Sequence, residues 1–205
     1  QVRLPLGDSL RVEALSERYN VALLNSKNAW RILGQESYSY EIAQDFDYAM
    51  TDKVVVVPIG NAGNITAVMS GFLKFFETGV IADLPKIVGV QSVHANPVVR
   101  YYSQPEDQRR DFVPMTVKPS VAQAAMIGNP VSMPRVVHLV ERYNQAAGRR
   151  RVAFVEVTEQ AIMDWQLTAN RNGHIACTQG GESLAGLRIA MQEGFVEGVD
   201  TAIVD

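Results

Sequence analysis

The chain is expected to fold as an open α/β sheet, mostly parallel, with helices on both faces. Three observations lead there: the unbroken β-branched run Val54-Val-Val-Val57, the repeated alternation of helical and extended patterns, and a Gly/Asn loop at residues 60–64 set between a strand and a helix. A continuous apolar run suits a strand covered on both faces. Strands alternating with helices are the signature of parallel sheets joined by crossovers.

Taken in order, Leu10, Ala14, Leu15 and Arg18 lie at helical spacing between Asp8 and Asn20, and Val21 to Leu24 reads as a strand. Arg31 to Tyr48 is a helix with the stripe Ile32, Tyr38, Ile42 and Phe46, followed by the Val54–Val57 strand. A helix from Ile65 to Thr78 closes at Gly79, and Ile87 to Gln91 is the next strand, which makes a strand–helix–strand unit with a right-handed crossover. Phe72, Phe75 and Phe76 on that helix are core or contact residues. Residues 92–134 are rich in Pro and charge and read as surface loops. Asn129-Pro130 opens a helix to about Ala147, Arg149 to Arg151 form a solvated corner, and Val152 to Val157 is a strand. Thr158 caps a helix to Asn172, Ile175 to Thr178 is short and extended, Glu182 to Glu193 is helical, and Thr201 to Val204 extends again.

Composition narrows the function classes. An apolar fraction of 47% with 20% charged residues describes a globular chain. A net charge of −3 supplies no general field for nucleic acid. No apolar run reaches the ~18 residues that span a bilayer, so neither nucleic acid nor membrane is an expected partner; one thiol cannot form an internal disulfide, and on that ground a cytoplasmic location is expected. Cys177 is the single cysteine; it fits packing as a small apolar group, and the histidines have no metal-like spacing, so no metal is expected. The chain opens at Gln1 and closes just after an apolar run, which reads as a piece of a longer protein.

The sharpest local feature is Gly60-Asn-Ala-Gly-Asn64, after the strand and Pro58 and before a helix. Glycines let the backbone curl until several amides face one concavity, and a helix N-terminus adds unpaired amides with partial positive charge. A phosphate dianion fits such a place without a lysine. The spacing is neither the dinucleotide fingerprint nor a Walker loop. From spacing alone, a plain tight turn with asparagines in left-handed conformations remains open beside the phosphate cradle.

Strand, PxGNAGN, then helix resembles the cofactor-phosphate loop of threonine synthases, pyridoxal-phosphate enzymes of the tryptophan synthase beta-like fold. Three further segments are similar to that family: Leu24-Asn-Ser-Lys-Asn-Ala-Trp-Arg-Ile-Leu-Gly-Gln35 to NSxNPxRxxGQ, Ile127-Gly-Asn-Pro130 to IGNP, and Cys177-Thr-Gln-Gly-Gly-Glu-Ser-Leu-Ala-Gly186 to the segment near the cofactor ring. Lys27 and Ala29 depart from the family pattern. The resemblance implies that residues 1–28 end a smaller domain and that residues 29–205 belong to a larger cofactor-binding domain.

On the same resemblance the cofactor is pyridoxal 5′-phosphate, with Gly60, Asn61, Ala62, Gly63 and Asn64 holding its phosphate and Thr178 facing the pyridine nitrogen. Without the family, Thr178 reads as a helix cap. Asn25, Ser26, Asn28 and Arg31 would clamp the phosphate of O-phosphohomoserine, because a guanidinium makes paired charge-assisted hydrogen bonds to phosphate oxygens. The implied reaction converts O-phospho-L-homoserine and water to L-threonine and phosphate, in threonine biosynthesis.

The family's Schiff-base lysine is expected upstream of Gln1. Lys27, Lys53, Lys74, Lys86 and Lys118 read as structural and exposed, so no catalytic residue is expected in this chain and the chain alone is expected to be inactive. The alternatives are a serine/threonine dehydratase-like lyase and a noncatalytic α/β module that binds a phosphorylated metabolite. Assembly as a homo-oligomer stays open.

Overall fold

The computed structural model describes residues 14–23, 25, 26, 28–109 and 111–205. Four strands, β1 (Lys53–Pro58), β2 (Lys86–Ser92), β3 (Val152–Val157) and β4 (Thr201–Val204), form one sheet in the order β3-β2-β1-β4. Every neighbouring pair is parallel, with Val56 opposite Val88 and Val204, and Gly89 opposite Phe154.

Side chains alternate along β1, and the two faces feed separate cores. Val55 and Val57 join Phe72, Leu73, Val136 and Tyr143 on one side. Val54 and Val56 join Ile162, Ala185 and Ala190 on the other. Helix α1 (Ala29–Gln35) buries Ile32 and contacts the longer helix α3 (Gly63–Glu77); the first core is supplied by α2 (Ser37–Asp45), α3, α4 (Pro97–Tyr102) and α5 (Met133–Ala147), and the second by α6 (Glu159–Arg171) and α7 (Thr178–Gln192). Helices on both faces explain why the valine run of β1 is apolar at every position.

Several expectations change. The helix foreseen over Arg31 to Tyr48 is two helices broken at Glu36, a residue only 4% exposed. Its carboxylate takes Tyr40 Oη at 3.0 Å, Ser70 Oγ at 2.7 Å and the Lys74 ammonium, so the break places a satisfied charge inside the fold. Val21 to Leu23 carry no strand, Val21 being exposed without a sheet neighbour, and Leu24 lies outside the described residues. Residues 92–134 contain α4, with Pro97 in its first turn, where a missing N–H costs nothing.

Ile175 to Thr178 is not a strand: Ile175 is fully exposed and Thr178 already begins α7. Cys177 is exposed rather than packed. The basic corner is partly interior, since Arg151 is 3% exposed and pairs with Asp83 at 2.5 Å, as Arg149 also does. Among the lysines, Lys53 is buried over Phe46 beside Asp52, and Lys86 is largely covered and pairs with Asp200 at 2.7 Å. Ion pairing accounts for these burials, which residue type alone does not suggest.

The helix α7 lies across β1, β2 and β3. A Cβ at Gly186 would come within 2.2 Å of Val90 Cγ2, so the helix reaches the sheet through a glycine. Among the described residues, no helix is long and apolar enough to cross a membrane.

Candidate functional site

At the carboxyl end of β1 the chain leaves the sheet through Pro58 and Ile59 and turns into α3. Ala62 caps α3 in the left-handed region, φ 62°, with no side-chain bond to the helix. Among the described residues, the N–H groups of Asn61, Ala62, Gly63, Asn64 and Ile65 have no acceptor, in keeping with the orphan donors of any helix start. Unpaired amides at the end of a fifteen-residue helix favour an anion.

The five loop residues, Gly60 to Asn64, line a cavity of about 210 Å³. Across it stand Ser26, Arg31 and Gln35, and Ala124 forms a further wall. Small-molecule pockets usually measure ~300 to 1,000 Å³, so this one suits the phosphate end of a ligand. Gly60 lets the loop lie close against that wall. A Cβ there would lie 3.3 Å from the Ala124 carbonyl oxygen and 3.4 Å from Ala125 Cα, atoms that cannot swing away.

Thus the folded chain brings the Gly60–Asn64 loop, Ser26 and Arg31 together. Arg31 is exposed at the rim and has no hydrogen-bond or ion-pair partner among the described residues. Asn25 is half-buried beside this turn. Asn28 is committed elsewhere, accepting from Trp30 N at 2.9 Å as the cap of α1 and donating to the Leu23 carbonyl at 2.8 Å. Both loop asparagine amides are engaged, Asn61 with Ser26 Oγ at 3.3 Å and Asn64 with Asp205 Oδ2, which leaves main-chain amides as the free donors. Thr178 does not line the cavity; it is the first residue of α7, half-buried, with its hydroxyl 3.2 Å from Gln179 Oε1. Lys27 lies outside the described residues.

The family described as "Pyridoxal-phosphate dependent enzyme" matches residues 6–204. The chain belongs to this pyridoxal-phosphate-dependent family. Among curated relatives, it is 32% identical over 198 residues to threonine synthase of Methanocaldococcus jannaschii, covering 96% of this chain and 46% of that protein. It is also 32% identical over 184 residues to the chloroplastic threonine synthase 2 of Arabidopsis thaliana, covering 90% of this chain and 34% of the relative. The pyridoxal-phosphate-dependent chain therefore spans less than half the length of these two relatives. Its fold matches the crystal structure of Escherichia coli threonine synthase with TM-score 0.72 at 20% identity, over 96% of this chain and 42% of that one. Threonine deaminase isoform 2 from Solanum lycopersicum matches with TM-score 0.63 at 18% identity, over 92% and 49%. The architecture is the tryptophan synthase beta-like fold expected for the family.

The residues of this pyridoxal-phosphate-dependent chain fit a phosphate-bearing cofactor, on the evidence of loop amides without an acceptor among the described residues and of the cavity that Gly60 to Asn64 line. Sequence reasoning overlooked what surrounds the loop. Ile127-Gly-Asn-Pro130 runs into Ser132, whose N–H donates to the Asn61 carbonyl at 3.1 Å, and Ile127 itself lies against Gly60. The matched island is therefore a brace for the loop.

Glu182 was overlooked too. It is completely buried on α7, with neither carboxyl oxygen in a hydrogen bond of ordinary geometry among the described residues; burial pushes its pKa up to about 8, the nearby Ser92 amide opposing this from outside that geometry and the Glu159 charge adding to it. Placing the helix start at Glu182 makes it an ordinary first-turn acid. The helix starts four residues earlier, so Glu182 instead faces inward one turn beyond Thr178.

Proposed function

We propose that this chain is the carboxyl-terminal part of a threonine synthase that converts O-phospho-L-homoserine and water to L-threonine and phosphate. One observation carries the reading: the anion loop shares its cavity with Arg31, whose guanidinium has no partner among the described residues. An enzyme for unphosphorylated serine or threonine has no second phosphate for that guanidinium to hold. On this reading residues 1–28 complete a smaller domain and 29–205 form part of the larger one.

In that role the main-chain amides of residues 60–64 hold the cofactor phosphate, and the start of α3 adds its dipole, worth ~0.3 to 2 kcal/mol. Bound pyridoxal 5′-phosphate supplies an electron sink for carbanions at the substrate. Arg31 and Ser26 hold the substrate phosphate, Asn25 assists from the same turn, and Asn28 fixes the cap that presents Arg31. Thr178 faces the pyridine nitrogen as a neutral hydroxyl, so charge at the ring is set by position and local electrostatics.

The proton-transferring lysine comes from elsewhere in the polypeptide. Among the described lysines, Lys53, Lys74 and Lys86 are engaged with Asp52, Glu36 and Asp200, and none lines the cavity. The reading is tested by assaying the complete polypeptide with O-phosphohomoserine and with threonine: preferential production of threonine is expected, and predominant threonine deamination would overturn it. The 205-residue chain alone is expected to show no cofactor absorbance shift of a Schiff base; a band abolished by Lys27→Ala would refute the assignment of the lysine.

A further inference from the structure

The wall of the cavity facing Gly60 is a single 3₁₀ turn, Gln123–Ala125, set in otherwise irregular chain, with Ala124 lining the opening and Ala125 Cα beside the glycine. Irregular segments hold a position only where specific contacts fix them. Here the fixing group lies on another element. Glu159, in the first turn of α6, accepts a hydrogen bond from Val121 N at 2.6 Å through one carboxylate oxygen and one from Ser92 Oγ through the other. The end of β2 and the wall are thereby clipped to one charged group. His94, 3.6 Å from the same carboxylate, accompanies this clip with Nδ1 2.6 Å from the Pro119 carbonyl.

From the clip to the cavity the segment is internally tied. Ala122 N donates to Ser120 Oγ at 3.1 Å, Ser120 N approaches Met126 Sδ at 3.2 Å, and Ala125 N donates to the Ala122 carbonyl at 2.9 Å. These bonds connect Val121 through Ala122 to Ala125, which lies beside Gly60. Thr158, not Glu159, caps α6, accepting from Ala161 N at 3.2 Å, so the Glu159 carboxylate is not needed for that purpose.

We propose that Glu159 is a positioning residue for the anion site, holding the 118–126 wall so that Gly60 to Asn64 keep their open geometry. This rests on the reading of that loop as a phosphate site. It concerns a residue outside the cavity, which acts through the wall.

The test uses the full-length protein without cofactor, titrated with inorganic phosphate by calorimetry, with hydrogen exchange followed over residues 60–65 and 118–126. Glu159→Ala is expected to weaken phosphate binding about tenfold, the scale of one lost charge-assisted hydrogen bond, with faster exchange in both segments. Glu159→Gln, which keeps one carbonyl acceptor, is expected to recover part of the affinity. Should Glu159→Ala not fold, Ser92→Ala removes the other tether and is expected to act in the same direction. Unchanged affinity, or weaker binding with unaltered exchange at 118–126, overturns the proposal while leaving the loop assignment standing. Absence of phosphate binding by the unmodified protein overturns both.

Discussion

The side-chain amide of Asn61 donates to Ser26 Oγ at 3.3 Å, linking residues 35 positions apart across the candidate cavity. Asn61 belongs to the anion loop, whereas Ser26 belongs to the turn that leads into α1 and carries Arg31 to the rim. The two phosphate-directed elements are thus joined directly, and the spacing between them does not depend on the sheet alone.

That bond predicts energetic coupling. Asn61→Ala and Ser26→Ala should each cost about 0.5 to 1.5 kcal/mol of unfolding free energy, and the double variant should cost less than their sum. Denaturant titration of the four proteins measures the cycle; strict additivity would show the contact to be energetically silent.

Arg31 should act on a phosphorylated substrate and not on folding. Its side chain has no described partner to lose, so Arg31→Ala is expected to leave Tm unchanged. In the complete enzyme it should raise KM for O-phosphohomoserine about tenfold or more, with Arg31→Lys intermediate because an ammonium cannot make the bidentate contact. Steady-state kinetics against threonine as a control separates this from general damage.

Glu182 should make stability depend on pH. Its folded pKa of about 8 lies above the ordinary 4.5, so the folded chain retains a proton that the unfolded chain releases. The native state therefore loses stability as pH rises from about 4.5 to about 8, and the loss levels off above that. Glu182→Gln should flatten the slope and exceed the parent in Tm at alkaline pH, as read from melting curves across that window.

At the α7–β2 contact, Gly186→Ala should be destabilising. The added methyl would sit 2.2 Å from Val90 Cγ2, with Val90 fully buried and unable to yield. A cost of roughly 1 to 3 kcal/mol is expected, the usual scale for overpacking, seen as a lower urea midpoint with unchanged m.

The parts of this protein legible in the linear chain are those set by local pattern. The valine run, the helices bounded by Thr158 and Gly79, and the loop of glycines and asparagines depend on neighbours a few residues away, and the structure shows them where expected. The resemblance over four islands was enough to place the family. Pattern failed where distant partners overruled it. Glu36 breaks a helix because Lys74 and Ser70 await its carboxylate, Arg151 is interior because Asp83 meets it, and Asn28 is spent on a cap.

Folding also assigned roles that no local motif contains. Ala124, Ser132 and Glu159 come from three separate stretches, and none is chemically distinctive along the chain. They matter because the parallel sheet brings the ends of β1, β2 and β3 to one edge, where loops remote in sequence must share space. Burial and charge pairing depend on that shared volume, and spacing along a polypeptide carries no record of it.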